Sequence, residues 1–145
     1  MKTTQFSTPI VVVVSALLIF NAYQAKMNYA NMSIVIIVTS VFLTIVGLLF
    51  YKLDIVINPQ EIFMSFGIGL ITKRIPLDSI SRIKQVKNSV FAGWGLRFHP
   101  KYTLYSASSL KAVEISFKDS SMKIRIGTSE PQEIESYLST YISQH

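Results

Sequence analysis

Cysteine is absent from the 145-residue chain, and histidine occurs only at positions 99 and 145. The first absence excludes disulfides, iron–sulfur clusters, cysteine-held zinc and thiol chemistry. His99 has no second histidine or carboxylate within a few residues, so no metal site is expected. A glycine-rich phosphate loop leading into a helix is missing, because Gly67 and Gly69 lie between candidate strands. No nucleophile elbow surrounds any serine. Neither catalysis nor a cofactor is expected. Charge is scarce as well. Only 15% of residues are charged, against about 25% in an ordinary soluble domain. The deficit is concentrated. Residues 1–51 hold two charged side chains, Lys2 and Lys26, while the other 94 residues hold twelve bases and all eight acids. Half of the chain is hydrophobic, which excludes a disordered polypeptide.

The first 51 residues contain two apolar runs. Ile10–Phe20 reads IVVVVSALLIF and with its flanks gives a span over residues 8–23, near the short end of what crosses a bilayer. Ile34–Tyr51 is 18 residues without a charge, or ~27 Å of helix at 1.5 Å per residue. A short polar stretch joins them, so residues 1–51 are expected to form a two-helix transmembrane anchor. Tyr23, Tyr29, Phe50 and Tyr51 fall near the interfaces, where aromatic rings are favoured. A pair of buried core helices is one alternative, but 94 residues are few to cover two helices that are apolar all round. A cleaved signal peptide is another. Only Lys2 is basic before the run, and Ala22-Tyr23-Gln24-Ala25 lacks the small-x-small pattern. A hairpin puts both of its flanks on one side, with Lys2 and Lys52 there and Lys26 opposite. The positive-inside rule then favours a cytoplasmic domain at the cell membrane.

The texture changes at Lys52. Short alternating runs appear, separated by Asn58-Pro59-Gln60, Gly67-Ile68-Gly69 and Pro76-Leu77-Asp78. Lys87–Lys101 reads as a long irregular stretch. Tyr102–Ser106 is a further strand, and Lys118-Asp119-Ser120-Ser121 joins two more in a hairpin. About seven strands result, with antiparallel pairing. After Ser129-Glu130-Pro131, the residues Ile134, Tyr137, Leu138, Tyr141 and Ile142 form one apolar helical stripe. The expected fold is therefore a membrane α-hairpin followed, over 52–145, by a small all-β barrel or bent sheet capped by a C-terminal helix.

Gly93-Trp94-Gly95-Leu96-Arg97, followed by Tyr105, Val113-Glu114, Gly127-Thr128 and Pro131, resembles bacterial PH-like (pleckstrin-homology fold) proteins with N-terminal membrane spans. The resemblance covers residues 52–143 and departs at Ser108 and Ser109, where such proteins often carry glycines. It implies a binding or scaffolding module and no chemistry. Head-group-binding PH domains place bases around the loop between their first two strands. Here that loop is read as Asn58–Gln60, and no Lys or Arg lies between Leu53 and Thr72.

Two candidate surfaces remain. Lys73, Arg74, Arg82, Lys84 and Lys87 fall within 15 residues; they are either a face for anionic lipid head groups or solvated edge positions. The Gly-Trp-Gly loop is the sharper feature. If Trp94 is exposed, then Trp94, Arg97, Phe98 and Tyr102 make a partner-binding spot. If it is buried, it anchors the core, and Arg97 ties the loop to a carboxylate such as Glu114. Lying against the bilayer interface is the third arrangement. The expected function is a membrane-anchored, non-enzymatic module that binds a membrane or membrane-proximal protein, helped by the effective concentration that tethering provides. The alternative is a basic module associating non-specifically with anionic lipid. The net charge of residues 52–145 is only +4, which argues against nucleic acid.

Overall fold

Lys2-Thr3-Thr4-Gln5-Phe6 carries two threonines and a phenylalanine, residue types that suit a pleated strand. The computed structural model, which describes residues 1–27, 33–89 and 95–142, makes Lys2–Phe6 the first strand, β1. Helices α1 (Thr8–Met27) and α2 (Ser33–Phe50) follow. Next come β2 (Lys52–Ile57), β3 (Glu61–Phe66), β4 (Ile71–Pro76), a 3-10 turn (Leu77–Ser79) and β5 (Ile80–Lys87). The chain continues through β6 (Gly95–His99), β7 (Tyr102–Ser106), β8 (Lys111–Phe117), β9 (Lys123–Gly127) and α3 (Pro131–Ile142).

The strands form two sheets. One has the order β1-β2-β3-β4 and is antiparallel throughout; the other has the order β5-β8-β9-β7-β6. The architecture departs from the sequence expectation in three ways. From Lys52 on there are eight strands among the described residues where about seven are expected, and Lys2–Phe6 adds a ninth. The sheets do not close into a barrel, since β1 and β4 remain edges of one and β5 and β6 edges of the other. And β7 pairs with β9 in parallel, because the β8–β9 hairpin inserts between β5 and β7.

The inner faces supply the core. In β2 the buried residues Leu53, Ile55 and Ile57 alternate with half-buried ones, the period-two pattern of a half-covered strand. Ile62, Met64 and Phe66 of β3 oppose Val113, Ile115 and Ile126 of the second sheet within one cluster. Each fully buried aliphatic or aromatic side chain contributes roughly 1.5–3 kcal/mol. Helix α3 packs on β5, β8 and the 3-10 turn. It sends Ile134 and Leu138 into the core and lays Tyr137 and Tyr141 against its rim, as the apolar stripe predicts.

The helical pair is continuous with this domain. The β1–β2 ladder starts at Met1, whose nitrogen donates to Ile57 O and whose carbonyl accepts from Ile57 N, both at 2.8 Å. It runs to Phe6 opposite Lys52, and Ser7 N then donates to Tyr51 O at 2.7 Å. Residues 2–6, read from sequence as part of the anchor, are therefore a sheet edge. The hairpin is the connection between two neighbouring strands. Gln5 Nε2 donates to Gly127 O (2.8 Å) and Ser7 Oγ to Ala107 O (2.7 Å), both buried, which ties that junction to the second sheet.

Thr8–Met27 is long and apolar enough to cross a membrane, and Ile34–Phe50 is a shorter apolar helix. No residue of α1 is buried, and Val12, Phe20, Val38 and Phe42 are each more than half exposed. The two helices meet where a Cβ built on Gly47 lies 3.4 Å from Val14 Cγ1. Asn21 Nδ2 bridges them, donating to Thr39 Oγ1 at 3.1 Å and Ser40 Oγ at 3.3 Å.

Candidate functional site

The partner-binding candidates fall on β6, β7 and the stretch before them. Trp94 lies outside the described residues. Gly95 takes φ +90°, a left-handed angle that favours glycine, and a Cβ there would meet the Phe50 ring at 3.7 Å. This starts β6 against the end of α2. From Gly95 the strand pairs with β7, Arg97 opposite Leu104 and His99 opposite Tyr102.

Arg97 and Phe98 come together beside the hairpin. Arg97 borders an apolar hollow of ≈ 290 Å³ formed by Pro9, Ile10, Val13, Leu43 and Val46. Its guanidinium has no ion-pair partner among the described residues. Phe98 is 81% exposed, the most exposed large apolar side chain described. It touches two clefts. One, of ≈ 510 Å³, runs along Ile10, Val46 and Phe50. The other, of ≈ 390 Å³, lies between β4, with Lys73, Arg74 and Ile75, and a wall of Tyr105, Phe117 and Ile124.

Tyr102 belongs to a different group. Its ring stacks on His99 at 4.6 Å and 15°. Arg125 lies over it with its guanidinium carbon 3.8 Å from the ring centre. That guanidinium also donates to Glu114 (2.8 Å) and to Asn88 Oδ1 (3.3 Å).

Glu114 is the ionic centre of the second sheet and is only 2% exposed. Lys123 Nζ lies at 2.9 Å, Arg125 Nη2 at 2.8 Å and Lys84 Nζ at 3.5 Å. Burial pushes the Glu114 carboxyl up, and the hydrogen bonds and charges of Lys123 and Arg125 overcome this, leaving its pKa below the ordinary 4.5. Glu114, the carboxylate considered for Arg97 in the case of a buried Trp94, is instead held by Lys84, Lys123 and Arg125. Cross-strand geometry explains the change. The row Glu114–Arg125–Leu104–Arg97 runs over β8, β9, β7 and β6, and three strand spacings separate its ends by about 14 Å.

The five clustered bases do not share one surface. Lys73 and Arg74 sit on β4 and line the cleft that Phe98 touches. Arg82, Lys84 and Lys87 sit on β5, at the opposite edge of the second sheet from β6. Arg74 pairs with Glu61 at 3.5 Å and lies over Phe63, and Lys84 pairs with Glu114. Lys111, absent from the sequence candidates, lies directly opposite Lys87. Like charges placed opposite on a sheet repel.

Among the described residues no group of three or more His, Asp or Glu is placed to hold a metal ion. Comparison with protein-family models, with curated proteins and with solved structures yields no match.

Proposed function

We propose that this protein is a membrane-embedded interaction module whose helical hairpin spans the bilayer twice. Its β-domain has a PH-like arrangement and lies on the cytoplasmic side. Its role is to bind a membrane or membrane-proximal protein through Arg97 and Phe98, without catalysis. The carrying observation is the exposed Phe98 next to Arg97, which has no ion-pair partner among the described residues, at the hairpin's base. An aromatic beside an arginine is the composition of binding hot spots. The spanning assignment is supported by apolar side chains exposed around both helices. The PH-like assignment is supported by a four-stranded antiparallel meander, a second sheet and a terminal helix against the core.

The test is photo-crosslinking in intact cells with a reactive amino acid at Phe98 and a control at Lys118. A discrete protein adduct at position 98 alone supports the reading. Lipid adducts, or none, at an exposed position 98 refute it. A second reading, association with anionic lipid, is favoured by the Lys87–Lys111 pair. These residues face one another at the sheet end where Gly127 meets Gln5 next to the hairpin. Under that reading, salt releases the protein's β-face from anionic vesicles, since exposed charges are screened.

A further inference from the structure

We propose that the β3–β4 turn, residues 67–70, is a second membrane contact whose apolar tip enters the head-group boundary beside the base of α2. This rests on the hairpin being embedded in the bilayer.

Strand β3 runs toward the hairpin and ends with Phe66 opposite Leu53, three residues past the end of α2. The turn then continues alongside the helix. Gly67 N donates to Lys52 O at 2.9 Å, and Ile68 N to Leu48 O at 3.3 Å. Leu48 O is one of the carbonyls left without an intrahelical partner at a helix end, so the turn caps α2. Gly69 N closes the turn onto Phe66 O at 2.8 Å.

The approach is too close for any side chain at position 67. A Cβ there would lie 2.1 Å from Leu48 O, and φ is +53°. The rings of Phe50 and Phe66 meet edge to face at 5.7 Å below it. These contacts fix the turn within about one helical turn, ~5 Å, of the end of the apolar helix. At that depth it exposes Ile68 by 58% and Leu70 by 74%. No charged residue occurs from Ile62 to Thr72. Phe6, 63% exposed, stands opposite Lys52 at the same level.

An uncharged loop with two bare aliphatic side chains matches the boundary between head groups and acyl chains. Interfacial elements bury about 5–10 Å deep there. It offers no donor or charge pattern for a particular head group. The occupant is the bilayer itself, because the patch is continuous with the exposed apolar surface of α2, where Leu48 is 48% exposed. With the hairpin and the turn both seated, the domain has a fixed tilt on the membrane.

The absence of cysteine permits single-site labelling. Ile68→Cys, Leu70→Cys, Val41→Cys in mid-hairpin and Asp119→Cys in the far turn each receive an environment-sensitive nitrobenzoxadiazole probe. The full chain goes into phosphatidylcholine vesicles with or without lipid carrying a doxyl quencher high on the acyl chain. The expected result is loss of emission at 68 and 70 in the quencher vesicles, and none at 119. The label at 41 emits at short wavelength, as in lipid. Short-wavelength emission at 41 with 68 and 70 behaving like 119 overturns the turn contact and leaves the anchor standing. Aqueous emission at 41 overturns the anchor and the turn together. Blue-shifted but unquenched probes at 68 and 70 mean a protein covers the turn, and that also overturns the proposal.

Discussion

Replacing Glu114 by Gln keeps the shape of the side chain and removes its charge, leaving Lys84, Lys123 and Arg125 around a buried amide. Breaking a buried ion pair by removing one partner costs about 3–5 kcal/mol where the remaining charge is fully buried. Here the cations are not equally buried. Lys84 is 52% exposed, Lys123 40% and Arg125 21%. Exposed pairs are worth only about 0–1 kcal/mol each, so most of the loss comes from the charge-assisted bonds to Arg125, and relief of the buried carboxylate's desolvation offsets part of it. The expected cost of Glu114→Gln is therefore about 2–3 kcal/mol. The assay is urea unfolding of the full chain in detergent micelles, followed by hydrogen exchange over residues 111–127. A double-mutant cycle with Arg125→Gln should return about 1–2 kcal/mol of coupling. The pH dependence gives a second readout. The folded pKa of Glu114 lies below its unfolded value near 4.5. Its contribution is thus fully present above about pH 4.5 and is lost as pH falls through the folded pKa. That part of the acid sensitivity disappears in Glu114→Gln. Another part persists from Asp54, whose pKa is also lowered: burial raises it, but Lys52 and Thr4 hold its charged form. A cost under about 0.5 kcal/mol, within the range of an ordinary surface change, would refute the reasoning, as would a cycle with no coupling.

Two further perturbations test the junction and the helices. Gly67→Ala forces a left-handed angle on alanine and a clash with Leu48 O. The expected loss is about 2–3 kcal/mol, from backbone strain and one broken hydrogen bond, with faster exchange at the Ile68 amide; unchanged exchange there would show that the cap is not formed. Asn21→Leu removes the bridge to Thr39 and Ser40. It should weaken helix pairing by about 0.6–2 kcal/mol, seen as slower disulfide formation between cysteines placed at Val14 and Gly47, while membrane insertion is retained.

What could be read in the sequence was the local part. β2, β7, the β8–β9 hairpin and α3 follow from alternation, turn residues and one apolar stripe, each contained within 17 consecutive residues. β1 could not be read that way. Its five residues become a strand only by pairing with β2 across the whole hairpin, 52 residues away at Thr3 and Ile55. β6 was hidden by flanking glycines and by the exposure of Arg97, Phe98 and His99, which leaves no apolar face to count. With β1 in place, the first two strands are joined by the hairpin, and Asn58–Gln60 joins the second and third. The basic cluster was a cluster in sequence alone, because the corner at Leu77–Ser79 sends β4 and β5 into different sheets. The Glu114 group did leave a signal. Ile115 pairs with Ile124, so the turn sets Glu114 opposite Arg125, with Lys123 two residues away on the same face.

The attachment of the hairpin changes how tethering works. A flexible linker raises the effective concentration of a swinging domain. Here no such linker exists at either flank. β1 ends at Phe6 and α1 begins at Thr8; α2 ends at Phe50 and β2 begins at Lys52. Ser7 and Tyr51, the two intervening residues, are hydrogen-bonded to one another. Ser7 is also held by Ala107, and Gln5 by Gly127. Moving the domain relative to the helices would break a β-ladder and several buried hydrogen bonds together. Each of these contributes about 0.5–1.5 kcal/mol. The domain is therefore presented at one height and one angle relative to the helices. Under the proposed function, a partner of Phe98 would have to reach that side chain from beside the hairpin, where Ile10, Val46 and Phe50 line the same cleft. Such a partner is best matched by a protein with an apolar segment at membrane level and an acidic group for Arg97.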